Sequence, residues 1–258
     1  MKINIYPPEQ QAVGEFDGGK IIEQKPIGFP NEGSAVRRVG PLFYWAWASV
    51  KKEGALGLHP HQGFEIMTYV VNGTAEHGDT LGTSSVVISG GAQVMQAGSG
   101  LSHQERIVGP DAEMFQIWFE PYLKEATTRN PTYHQYNHED FPLVISNNVT
   151  IKTVIGEGSP IQLVADVKLW DVHLEPGSEY KHVIPVGYSV AALAIRGGGV
   201  WKSMNESQTQ SPVVHGHKDF VVIEADTQEA VHFIAEDIQS RIILIQVPTT
   251  VDYPLYRR

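Results

Sequence analysis

Two histidines one residue apart, His59 and His61, and a histidine and a carboxylate one residue apart, His103 and Glu105, have the residue types and spacing for metal chemistry. In an extended strand residues two apart point to one face, so each pair can aim both donors at a single point. On a helix the same spacing splays them. Eleven histidines in 258 residues give a chance expectation of roughly one half of a His-x-His, so the first pair gains its meaning from the second. Between the pairs lie Gly73, Gly78, Gly82, Gly90, Gly91, Gly98 and Gly100, which punctuate short strands able to fold the second pair back beside the first. Three neutral imidazoles and a carboxylate suit one divalent ion of the iron, nickel, copper, manganese, cobalt or zinc type, and leave coordination positions open for chemistry.

The elements that must position these residues read as strands. Glycines and prolines are spread through the chain, and between them lie short β-branched and aromatic runs such as Phe43 to Val50, Phe64 to Val71, Met114 to Phe119, Val190 to Ile195 and Arg241 to Val247. This predicts an all-β fold, with the polar stretch Lys124 to Pro142 as the connection between two domains, 1–140 with the metal and 141–258 without one. Phe64 to Gly73 lines up with Tyr188 to Gly197 in aromatic start, apolar run and closing glycine, as a duplicated β domain would leave behind. Apolar residues at 41% supply a core, and a net charge of -10 disfavours nucleic acid. With no cysteine, disulfides, thiolate metal sites and thiol catalysis are excluded. Nothing approaches the roughly 20 apolar residues of a membrane helix, so the expectation is a cytoplasmic protein without membrane contact.

The run from His59 to Glu105 resembles the metal-binding half of the pirin family, within the cupin superfamily. The residues that carry the likeness are His59-Pro60-His61-Gln62-Gly63-Phe64-Glu65, Glu76-His77-Gly78-Asp79-Thr80-Leu81-Gly82, Gln96 to Glu105, and Gln116-Ile117-Trp118-Phe119. The resemblance implies a bicupin of two double-sheet jelly-roll barrels, with one ion, iron(II) first, on His59, His61, His103 and Glu105. It also implies either a quercetin 2,3-dioxygenase-like oxidoreductase, acting with dioxygen on flavonols or other enediols, or a metal-dependent regulatory protein with a protein partner. In the enzymatic case Glu105 is the catalytic base. The closing segment Val247 to Arg258 departs from the pattern many members carry.

Glu65 rivals Glu105 because unbroken strand parity would place it on the face of His59 and His61. Met67, Tyr69, Gln93, Met95, Phe43, Trp45 and Trp47 are candidates to line the cavity, although ordinary packing accounts for each. Of Trp118 and Phe119, one at most can meet the site. In the second half Val183, Pro185 and Ser189 align with His59, His61 and Glu65 and offer no ligand set. His215-Gly216-His217 lacks a partner pair, and His173 and His232 read as packed or hydrogen-bonded side chains.

Overall fold

The computed structural model describes residues 1–203 and 211–257. Strands dominate, as the short β-branched runs require, and they form two units. One unit comprises residues 11–140, 163–165 and 252–258, and the other residues 1–10, 141–162 and 166–251. The contiguous division 1–140 and 141–258 is therefore corrected at the start of the chain, at 163–165 and at its end, where Arg258 lies outside the described residues. Among the described residues no helix is long and apolar enough to cross a membrane.

The reason for the exchange lies in strand order. The larger layer of the first unit runs Thr132–Tyr136, Ala92–Gln96, Glu65–Asp79, Leu101–Phe119, Leu42–Val50, Ile21–Ile27, Ala12–Phe16. The seven-stranded sheet of the second runs Lys2–Tyr6, Phe220–Glu224, Tyr188–Arg196, Ser240–Pro248, Lys168–Leu174, Val149–Ile155, Leu143–Ser146. The orders correspond position by position, and the two aligned segments, Glu65–Asp79 and Tyr188–Arg196, occupy the same place. The outermost strand beside Ala92–Gln96 is Thr132–Tyr136, whereas its counterpart beside Phe220–Glu224 comes from Lys2–Tyr6. The polar stretch read as a connection thus contains a strand of the first barrel.

Burial follows the sequence pattern. The central Tyr188–Arg196 is apolar along its length and almost wholly buried, while Glu179–Ile184 alternates exposed and buried, as a strand with one wet face must. The second unit pairs its seven-stranded sheet with a four-stranded one, Glu179–Ile184, Glu229–Ile234, Gly199–Ser203, Val213–His215. In the first unit both layers share one long ribbon, Glu65–Asp79 against Leu101–Phe119. Residues 65–70 pair with 114–119 and neighbour Ala92–Gln96, while residues 74–79 pair with 103–108 and neighbour Ser84–Ile88. Register shifts on either side of Asn72 mark the corner between the layers.

The last residues hold to the first unit through a buried carboxylate. Arg38 donates to Glu120 Oε2 at 2.9 Å and to the Tyr256 carbonyl at 3.2 Å, Tyr253 Oη donates to the Glu120 carbonyl at 2.7 Å, and the Tyr256 amide donates to the Glu120 carboxylate.

At the ribbon corner Gly73 has φ +82°, and a Cβ there would stand 2.6 Å from Ala112 Cβ and 2.7 Å from the Val108 carbonyl oxygen. Gly73→Ala is expected to cost about 1–3 kcal/mol in denaturant unfolding. Gly57→Ala, where nothing lies within 4 Å of the added Cβ, should leave the midpoint unchanged.

Candidate metal centre

Antiparallel pairing of Glu53–His61 with Leu101–Phe119 sets His59 opposite His103 and His61 opposite Leu101, so three imidazoles fall on one patch. A register shift between Leu56 and His59 brings the histidines into this phase. His59, His61 and His103 each offer one ring nitrogen within 4.8 Å of the others, and no other such group of three occurs among the described residues. His61 Nε2 and His103 Nε2 stand 2.9 Å apart, and the ring centroids are separated by 4.4 to 4.8 Å. His59 donates Nδ1–H to the Gly57 carbonyl at 2.7 Å, which leaves its Nε2 as a lone pair. Burial holds the His61 pKa down to about 4, with His59 adding to it; burial and then His61, His59 and His77 hold His103 down to about 2. Three convergent imidazoles, two of them held neutral by burial, are a donor set that a divalent cation takes.

Glu105 lies on the same strand face as His103, buried like it, and outside the three-histidine group. Its carboxylate accepts from Thr68 Oγ1 at 3.1 Å, Gln93 Nε2 at 3.3 Å and Gln116 Nε2 at 2.8 Å. Two carboxylate oxygens have about four lone-pair sites, so three donors leave room for one further bond. Complete burial pushes its pKa up to about 7, against the opposing donors Thr68 and Gln116.

Glu65 is not beside the histidines. The strand stops at His61 and Gly63 takes φ +79°, so parity does not carry through to Glu65. Its buried carboxylate instead accepts from Gln96 Nε2 and from the amides of Val164 and Ala165 at 2.6 to 2.9 Å, and burial raises its pKa against those donors. The same break shifts the inward set by one residue. Thr68, rather than Met67 or Tyr69, meets Glu105, and Trp45 and Trp47 pack with Phe115 away from it. Gln93 does line the site, Met95 packs with Ile66, and Trp118 meets His61 edge-on at 4.8 Å with Phe43 behind it. Phe119 is buried on the other face.

In the second unit the corresponding inward row is Tyr180, His182, Val231 and Phe233. His215 is buried between Trp201 and Phe233. His173 lies 3.3 Å from Asp171, and His232 contacts Glu179.

Sequence reasoning passed over Thr68, Gln116, Tyr133, His77 and Asp79 as site residues. Tyr133 Oη donates to Gln93 Oε1 at 2.8 Å and contacts Ser85, and its ring stacks on His77 at 4.3 Å. His77 and Asp79 stood inside a quoted motif, which was the available signal.

Comparison with known proteins places this site in context. The sequence model described as Pirin matches residues 44–119. Pirin-like protein 2 of Arabidopsis thaliana is 32% identical over 206 residues, which cover 72% of this chain and 63% of that protein, so the chain spans just under two thirds of that relative. A pirin-like protein of Caulobacter vibrioides is 32% identical over 187 residues, 69% of this chain and 67% of the relative. The chain belongs to the pirin family. A protein of Escherichia coli O157:H7 named quercetin 2,3-dioxygenase is 28% identical over 182 residues, 66% of this pirin and 75% of that protein. The crystal structure of a bacterial pirin from Escherichia coli in complex with nickel(II) superposes with TM-score 0.74 at 23% identity, covering 96% of this pirin and 99% of that chain, a likeness of fold.

The raised pKa of Glu105 has a consequence for the metal-free protein. Folded Glu105 holds its proton up to about pH 7 and the unfolded side chain only to 4.5, so the folded state binds the proton more readily in between. Stability from this group therefore falls as pH rises from 4.5 through 7 and stays lost above. Glu105→Gln should gain on the order of 1–3 kcal/mol over the parent at pH 8 relative to pH 4, read from urea midpoints.

Proposed function

We propose that His59, His61 and His103, with Glu105 as fourth ligand, hold one iron(II) ion, and that the protein is a dioxygenase for flavonol-like or other enediol substrates. The observation that carries this reading is the convergence of three imidazole nitrogens beside a buried carboxyl on the same strand face. The relative named quercetin 2,3-dioxygenase supports the substrate class, and the nickel complex of the bacterial pirin supports a divalent ion.

The chemistry such an ion supplies is Lewis-acid stabilisation of an enolate or phenolate together with the redox capacity that dioxygen requires. The protein's own part is proton handling, orientation and exclusion of water. Glu105 accepts the enol proton on a carboxylate oxygen. Thr68, Gln93 and Gln116 fix the plane of that carboxylate by donating to both of its oxygens. Trp118, edge-on to His61, offers an aromatic wall beside the centre for a planar ligand. Localisation in the cytoplasm accords with this role and belongs to the same proposal.

His61→Ala is expected to lose stoichiometric metal, measured by elemental analysis, while keeping its β-sheet circular dichroism. The intact iron-loaded protein should consume oxygen with quercetin, and Glu105→Gln should reduce turnover by about a hundredfold or more. Absence of oxygen uptake by fully loaded protein with quercetin and a panel of enediols would overturn the enzymatic reading in favour of a metal-dependent interaction protein.

A further inference from the structure

His103 differs from His59 in one respect. His59 gives its second ring N–H to the Gly57 carbonyl, whereas His103 Nδ1 is buried with no hydrogen-bond partner. A histidine that ligates through Nε2 carries its proton on Nδ1, and metal-ligating histidines almost always donate that proton to an acceptor, which fixes ring and tautomer. Three imidazoles surround His103. Two of them, His59 and His61, converge with it on the centre, and the third is His77, whose ring centroid stands 5.3 Å away.

His77 has the complementary deficit. Its Nε2 lies 2.9 Å from Asp79 Oδ2, and Asp79 Oδ1 already accepts the amides of Leu81 and Thr83, so the carboxylate is acceptor only and Nε2 carries the proton. That leaves Nδ1 of the neutral ring as a lone pair, and it too is buried with no partner. The 5.3 Å between the centroids is within the span of one N–H···N bond of about 3 Å once the rings, tilted 44° to each other, turn Nδ1 toward Nδ1. Strand register supports the pairing, since Asp79 lies directly opposite His103 and His77 is its diagonal neighbour on the same face. Tyr133, stacked on His77, backs that ring.

We infer that Asp79 and His77 form an outer relay for the metal centre, in which Asp79 fixes the tautomer of His77 and His77 Nδ1 accepts the Nδ1 proton of His103. Both are positioning residues. A small rotation of either ring closes the bond, and each ring then loses its unsatisfied buried nitrogen. This inference rests on the three-histidine centre proposed above and is independent of the reaction assigned to it.

The test uses the full chain and cobalt(II) alone, with affinity measured by chelator competition and the paramagnetically shifted, exchangeable ring N–H signals followed by proton NMR. The intact protein should show slowly exchanging signals from His59 and His103. His77→Phe, which keeps an aromatic ring against Tyr133, should lose the His103 signal, retain that of His59, and bind cobalt ten- to a hundredfold more weakly at unchanged circular dichroism. His77→Gln, which restores an acceptor, should recover the signal. Asp79→Asn lets the His77 proton move to Nδ1, and it should abolish the same signal, carrying the test should His77→Phe fail to fold. Unchanged signals and affinity within twofold in these variants would overturn the relay alone, whereas failure of the intact chain to take up cobalt would overturn the centre with it.

Discussion

The cross-strand pairing of His59 with His103 is the interaction on which the centre depends. Backbone hydrogen bonds of the ladder bring two imidazoles face to face, and the two-residue period of each strand adds His61 on one side and Glu105 on the other. The arrangement carries a cost, because imidazole nitrogens and a carboxyl are withdrawn from water, offset in part by the hydrogen bond between His61 Nε2 and His103 Nε2. Their mutual position is nevertheless held by strands, which lock side-chain direction more firmly than loops do. Sheet pairing thus maintains the mutual position of side chains whose burial alone is unfavourable.

Around that set the polar contacts form a graded series. His59 and His61 are half-buried, whereas His103 and Glu105 are buried, and Glu105 is gripped by Thr68, Gln93 and Gln116 from three different strands. Beyond it Tyr133 ties Gln93 to Ser85 and covers His77. Displacement of any one of these side chains is opposed by the packing of its neighbours, so the carboxylate plane is determined by the barrel as a whole.

Much of this was legible in the sequence. Spacing of two in His59, His61, His103 and Glu105 states which side chains share a face, and the recurring aromatic–apolar–glycine runs mark strands that occupy equivalent positions in the two sheets. What was not legible depends on backbone breaks. One positive φ at Gly63 ends the parity that would have put Glu65 with the histidines and exchanges Met67 and Tyr69 for Thr68. Likewise the Thr132–Tyr136 strand is too polar to announce itself, because its identity comes from the neighbour it pairs with. The role of Lys2–Tyr6 was hidden for the same reason, since pairing across most of the chain leaves no local pattern.

That last pairing bears on how the molecule comes into being. Lys2–Tyr6 is made long before its ladder partner, which is complete only when residue 224 has been added. The opening strand must therefore wait, unpaired, while the barrel that follows it in sequence assembles. That barrel in turn gains its contacts to Glu120 only after Tyr253 and Tyr256 have been added. Synthesis and folding therefore run out of step in both units, since each closes only with a segment far along the chain from its partner.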